Sequence, residues 1–220
     1  MLIIYKYVFF DLDGTLIDPK EGITKSVAYA LEKFGIYESN LDNLTPFIGP
    51  PLKDSFMEFY HLNSDDAEKA VIYYRERFKG IGLTECHLYD NVEKMLSSLK
   101  KMGLRLVIAT SKPEEFTIKI LKNLDIFKYF DFVSGATFDG KRGEKAGVIN
   151  YAIKMLNIIE LKSVLMVGDR KFDILGAHSN KIDSCGVTFG YATCGELEQA
   201  KPNYIISDML ELIEIINKEI

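Results

Sequence analysis

A near-continuous apolar run from Ile3 to Phe10, interrupted at Lys6 and stopping at Asp11, constrains this chain more than any other feature. A strand with one wet face alternates apolar and polar residues, whereas a near-continuous apolar run of strand length marks a parallel strand covered on both faces. Leu104 to Ala109, Phe132 to Val133 and Val164 to Val167 read the same way. Helical spacing lies between them, in Val92, Leu96 and Leu99, in Ile118 and Leu121, and in Val148, Ala152, Met155 and Leu156. A strand pair near Gly186 to Phe189 and Tyr204 to Ile206, with a helix near Met209 to Asn217, closes the pattern. Strands alternating with helices predict an α/β fold: a doubly wound parallel sheet with crossover helices on both faces.

One stretch breaks the rhythm. After the first strand come about seventy residues with helical periodicity and no convincing strand. Ile23, Val27, Ala30, Leu31 and Phe34 form one stripe; Leu52, Phe56 and Phe59 a second; Ala67, Ala70, Val71, Tyr74 and Phe78 a third. That is too much helix for a crossover. The predicted division is a core of residues 1–17 and 89–220 around an inserted helical domain of residues 18–88, with joints at Ile17 to Lys20 and Cys86 to Asp90.

Ligands of open parallel sheets bind beyond the carboxyl ends of the strands, so the residues just past each apolar run are the candidates. Asp11-Leu12-Asp13-Gly14-Thr15 follows the first strand, Thr110-Ser111-Lys112 the second, and Gly168-Asp169-Arg170-Lys171-Phe172-Asp173 the run at Val164, while Lys145 opens the preceding helix. Acidic, hydroxyl and ammonium groups thus converge from four distant segments. The net charge of -5 argues against a general nucleic-acid binder. Cys86, Cys185 and Cys194 have no Cys-x-x-Cys spacing, which suits a reducing cytoplasm without disulfides or structural zinc. No run reaches membrane-spanning length, and the start lacks the basic residues and cleavage site of a signal peptide. The expectation is a cytoplasmic protein, monomer or homodimer, with no nucleic-acid or membrane partner.

Asp-x-Asp-Gly-Thr, a strand-end Thr, a Lys and Gly-Asp-x-x-x-Asp, in this order, resemble the four motifs of the haloacid dehalogenase superfamily of phosphotransferases, in its phosphoglycolate-phosphatase-like branch. The resemblance covers essentially the whole chain. It implies a Rossmann-like core, with the helical insert as the first type of cap. It makes Asp11 the nucleophile that forms an aspartyl-phosphate and Asp13 the general acid and base. Dehalogenase relatives lack this second aspartate, which favours phosphoryl transfer. It places Leu12, Thr110, Ser111 and Lys145 at the phosphate, Lys145 also balancing transition-state charge. So many carboxylates at one edge repel one another unless a cation intervenes, and all-oxygen ligation selects Mg²⁺ over zinc. The resemblance assigns the metal to Asp11, Asp13 through its carbonyl, and Asp169, with Asp173 close by or acting through water.

Each residue has a plainer reading. Asp11 and Asp13 can be turn residues, Thr110 a strand-end cap, Asp173 a first-turn carboxylate on a helix, and Lys145 a solvated surface lysine with Lys141 and Arg142 as alternatives. In the insert, Gly49-Pro50-Pro51-Leu52 is either a substrate-facing loop or a rigid turn, and Phe56, Phe59, Tyr60, Tyr73 and Tyr74 read as core ahead of a substrate box. Two departures matter. Lys145-Ala146 replaces the family's usual Lys-Pro, and the charged stretch Asp139 to Gly143 before it is a candidate contact for a polar substrate. Gly168-Asp169, where mutase relatives carry Glu-Asp, leans towards hydrolysis. The expected activity is Mg²⁺-dependent hydrolysis of a small phosphorylated metabolite, phosphoglycolate first. 5'-Nucleotidase activity on nucleoside monophosphates and a β-phosphoglucomutase-like sugar phosphomutase are the enzymatic alternatives, and a non-catalytic binding protein is a third.

Overall fold

The computed structural model of the chain describes residues 5–138 and 142–218. Its main sheet is built from β1 (Tyr7–Phe10), β4 (Arg105–Pro113), β5 (Phe132–Ala136), β6 (Val164–Gly168), β7 (Asp183–Val187) and β8 (Tyr204–Ile206). Two further strands, β2 (Ile17–Asp18) and β3 (His87–Leu88), form a separate two-stranded sheet. The six strands run parallel in the order β5-β4-β1-β6-β7-β8. Tyr7 lies opposite Arg105 on one side and Val164 on the other, and Phe10 opposite Ile108 and Val167. The predicted doubly wound sheet is present, and β1 is central to it.

Both faces of the central strands are dry, which explains the near-continuous apolar runs. Phe9, Val107, Met166 and Val164 pack against Val148, Ile149, Ala152 and Ile153 of α6 (Lys145–Met155) and Ala177 of α7 (Lys171–Ser179). Val8, Phe10, Leu106, Ile108, Leu165 and Val167 alternate with them and are equally buried. The remaining helices of this unit are α4 (Val92–Lys101), α5 (Glu114–Asn123), α8 (Glu196–Ala200) and α9 (Glu211–Lys218). The sequence misplaced details. Met155, assigned to the α6 stripe, is half exposed, and Ile149 and Ile153 face the core instead.

By its internal contacts the chain forms two compact units, residues 1–17 with 88–220 and residues 18–87. The smaller unit holds α1 (Lys20–Glu32), α2 (Leu52–Tyr60) and α3 (Ser64–Gly80), with 3-10 turns at Leu41–Phe47 and Gly82–Thr84. Asn63 caps α3 by accepting the Asp66 N–H at 2.9 Å. Phe47 sits between the rings of Phe56, Phe59 and Tyr60, with centroids 5.0–6.0 Å away. Tyr74 stacks on Phe78, and Tyr73 meets Phe34 edge-on. Phe47, Phe56, Tyr74 and Phe78 are buried, whereas Phe59, expected in the core, is exposed, and Tyr60 and Tyr73 are half-buried. Phe34 reaches its ring contact from beyond the end of α1.

Candidate active site

Three adjacent strands, β4, β1 and β6, end at one edge. The Asp11 N–H donates to Val167 O at 2.9 Å, extending the β1–β6 ladder one residue beyond the strand. The chain then folds back. The N–H groups of Thr15, Leu16 and Ile17 point at Leu12 O from 3.3, 3.0 and 3.1 Å, and the Leu12 side chain is fully buried. Gly14 takes a φ of 80°, and a Cβ there would collide with the Asp169 carboxylate. This position excludes side chains on two grounds, backbone conformation and space.

Asp11, Asp169 and Asp173 are buried and each offers a carboxylate oxygen, all within 4.8 Å of one another. Lys145, at the first position of α6, reaches into them. Its Nζ lies 2.7 Å from Asp11 Oδ1 and 2.8 Å from Asp173 Oδ1, and donates to Ala109 O at 3.3 Å. Asp169 accepts the Thr15 hydroxyl on Oδ1 at 3.2 Å and the Tyr191 N–H on Oδ2 at 2.8 Å. Asp173 closes the first turn of α7, where its Oδ2 accepts the Arg170 N–H at 3.0 Å. The plain first-turn reading of Asp173 and its place in the cluster therefore hold together. The reading of Lys145 as a solvated lysine does not, because it is buried against two carboxylates.

Asp13 takes a different partner. Its Oδ2 accepts from Lys112 Nζ at 2.6 Å, while its Oδ1 is buried without a hydrogen-bond partner among the described residues. Thr110 is buried and its Oγ1 accepts the Lys112 N–H at 3.2 Å, which leaves the hydroxyl hydrogen available to donate elsewhere. Ser111 between them is half-buried.

Burial governs the electrostatics. It raises Asp169 to about 8, with the charges of Asp173 and Asp11 adding to the effect. It raises Asp173 to about 6, against the opposing pull of Lys145 and with help from Asp11. Asp13 is also raised by burial, against the pull of Lys112. For Lys145 burial works the other way, but the Asp11 and Asp173 carboxylates outweigh it and hold the ammonium well above its usual range. Three clustered carboxylates facing one ammonium leave a surplus of negative charge, and their donors are all oxygen. That set fits a hard divalent cation.

Residues 8–187 match the model of the haloacid dehalogenase-like hydrolase family. The chain belongs to that family. The hydrolase is 38% identical to a 5'-nucleotidase of Pseudomonas aeruginosa over 96% of both chains. It is 30% identical to a phosphoglycolate phosphatase of Colwellia psychrerythraea over 94% of both. A crystal structure of a predicted phosphatase from Clostridium acetobutylicum superposes with a TM-score of 0.93 at 47% identity, covering 98% of the hydrolase and 99% of that chain. Its enzymatic class is that of a phosphoric monoester hydrolase.

Several residues of the hydrolase's site escaped the sequence reading. Lys112 was visible two positions after Thr110 on the same strand, where period 2 puts both side chains on one face. Gly190 and Tyr191 gave no signal: a Cβ on Gly190 would strike Gly14 O and the Asp169 side chain, and Tyr191 acts through its backbone. Glu196 was hidden likewise. Its carboxylate accepts from Arg170 Nε at 2.8 Å, the Lys171 N–H at 2.9 Å, and the Thr193 N–H and hydroxyl at 3.2 and 3.1 Å. Burial opposes its ionisation, yet these donors, the Arg170 side chain foremost, bring it down to about 2. Of the charged stretch before Lys145, residues 139–141 lie outside the described residues. Arg142 is engaged, donating to Gly135 O and Glu114 Oε2 at 2.8 Å each and lying 3.8 Å over the Tyr151 ring.

Proposed function

We propose that this hydrolase releases phosphate from a small-molecule phosphomonoester, with Mg²⁺ as its cofactor and the phosphoryl group carried transiently on Asp11. The observation that carries this reading is the buried cluster of Asp11, Asp169 and Asp173 around Lys145. Asp11, Asp13 and Asp169 would hold the ion, with Asp173 beside it. Bound there, it would neutralise charge on the phosphoryl oxygens. Asp11 attacks phosphorus as Asp13 protonates the leaving oxygen, and the P–O bond to the alcohol breaks. Lys145 holds the Asp11 carboxylate in place and offsets transition-state charge; Thr110, Ser111 and Leu12 steady the phosphate. Water then attacks phospho-Asp11, Asp13 takes back a proton, and phosphate leaves with Asp11 restored. Residues 18–87 are the cap domain of this reading, and its setting is the cytoplasm.

Phosphoglycolate is the first substrate of this reading, supported by the relative of that name. The relative named 5'-nucleotidase, 38% identical over almost the whole chain, supports nucleoside monophosphates as the second. Hydrolysis is favoured over mutase chemistry at Gly168, where a Cβ would run into the Asp173 side chain. The test is phosphate release across a panel of phosphomonoesters, with Mg²⁺ and with EDTA, for wild type and Asp11→Asn. Turnover that needs metal and falls by at least about 10³-fold in Asp11→Asn is expected. Undiminished release in EDTA would sink the magnesium assignment, and isomer interconversion exceeding phosphate release would make the protein a mutase.

A further inference from the structure

Among the described residues, the buried ammonium of Lys112 is a cation at this edge that the scheme above leaves without a task. It is only 8% exposed, on the last residues of β4, and its Nζ lies 2.6 Å from Asp13 Oδ2. Placing it there is costly, since a buried ammonium loses its hydration and keeps its charge only beside an anion. Asp13 has two chemically equivalent oxygens in two unlike settings. Oδ2 is clamped, and Oδ1 is enclosed without a hydrogen-bond partner among the described residues. An enclosed carboxylate oxygen that no described protein group pairs is the one open to a partner from outside the protein.

We infer that Lys112 is a positioning residue for proton transfer, fixing the Asp13 carboxyl through Oδ2 so that Oδ1 alone meets the leaving-group oxygen and then the attacking water. The inference rests on the acid and base role given to Asp13 above. In the first half, Oδ1 carries the proton and Oδ2 accepts from Lys112. The proton passes from Oδ1 to the ester oxygen as its bond to phosphorus breaks, and the resulting carboxylate is matched by an ammonium already in contact. In the second half, Oδ1 accepts a proton from the water that attacks phospho-Asp11. Lys112 gains and loses no proton throughout, and one proton is given and one recovered per turnover. The clamp also stops the carboxyl from rotating, so the transfer geometry is set before substrate arrives, the kind of preorganisation that a proton donor needs.

The dependence of rate on the leaving group tests this. A poor leaving group needs the acid and a good one barely does, so a misplaced acid penalises alkyl and weakly activated aryl esters selectively. We would measure kcat and KM with Mg²⁺ for a graded series of aryl phosphates, from p-nitrophenyl phosphate to phenyl phosphate and an alkyl phosphate, in wild type, Lys112→Met, Lys112→Arg and Asp13→Ala. The expectation for Lys112→Met is a loss of kcat/KM, which reports the half-reaction that expels the leaving group, of on the order of tenfold or less on p-nitrophenyl phosphate, and about 10²-fold or more on the alkyl ester. Asp13→Ala should be as steep or steeper, and Lys112→Arg should recover part of the loss on the poor leaving groups. An equal loss along the series in Lys112→Met, beside a steep Asp13→Ala, would overturn the inference while leaving Asp13 as the acid. A flat Asp13→Ala series would remove the acid role itself and the inference with it. If Lys112→Met does not fold, as judged by its thermal transition, the Lys112→Arg and Lys112→Gln series decide by the same criterion.

Discussion

Burial makes the carboxylates of this site behave unlike surface aspartates, and the consequence is a stability that depends on pH. Asp169, raised to about 8, and Asp173, raised to about 6, bind protons more tightly in the folded chain than in the unfolded one, where an aspartate titrates near 3.9. An acid whose folded value lies above its unfolded value favours the folded state at low pH. That contribution drains away as pH rises from about 4 through about 8, because only the unfolded chain gives up its protons early. Metal-free protein is therefore expected to melt at lower temperature at pH 8 than at pH 5. Mg²⁺, binding the deprotonated cluster, is expected to raise the melting temperature more at pH 8 than at pH 5. Thermal scans at both pH values, with Mg²⁺ and with EDTA, check this; an identical Mg²⁺ shift at the two would contradict it. At this scale the convergence of Asp11, Asp169, Asp173 and Lys145 was legible in the sequence, because strand ends of a parallel sheet share an edge. The pairing of Asp13 with Lys112 was not, since a lysine in a polar strand-end triplet looks like any solvated one.

The elements around the site explain what pattern reading could reach. β1 and β6 are apolar throughout, and their runs betrayed them. β4 continues through Thr110, Ser111 and Lys112 to Pro113, polar residues that look like a loop but remain strand. β5 adds Ser134, Gly135 and Ala136 to its two apolar residues. β7 begins at Asp183, a buried carboxylate bonded by Tyr5 and Lys162, so the run expected from Gly186 starts earlier than its apolar signal. α8 is only five residues long and carries no periodicity to read. It matters nonetheless, because Glu196 at its start joins the first turn of α7 to the segment that holds Thr193 and leads back to Tyr191. Removing a buried, multiply bonded carboxylate takes from the Arg170 guanidinium, the Lys171 N–H and Thr193 the acceptor they share. Glu196→Ala should cost about 3 kcal/mol in denaturant unfolding. It should also weaken Mg²⁺ binding, read by calorimetry, because the Tyr191 amide that orients Asp169 loses its anchor. Wild-type Mg²⁺ affinity in a destabilised Glu196→Ala would show that the segment keeps its place without Glu196.

Across the whole molecule the sheet order places β1, at the very start of the described chain, between partners that begin at Arg105 and Val164. The unit of residues 18–87 is contiguous, with helices that contact one another within it, whereas the unit of residues 1–17 and 88–220 closes only through contacts across most of the sequence. Order of synthesis then matters. At about 5–20 residues per second, the ribosome releases everything that 18–87 needs several seconds before β6 exists. Until then β1 is an apolar segment with at least one open edge, the kind of strand that pairs wrongly or recruits chaperones. Proteolysis of ribosome-arrested chains should show protection of 18–87 in chains that stop near Ile158, and protection around Phe9 only once Gly168 has emerged. Simultaneous protection of both would contradict this. The strand that leads into Asp11 is thus made ahead of both its partners and completed late, so for much of its synthesis the protein owns the aspartate of the proposed chemistry without owning the enzyme.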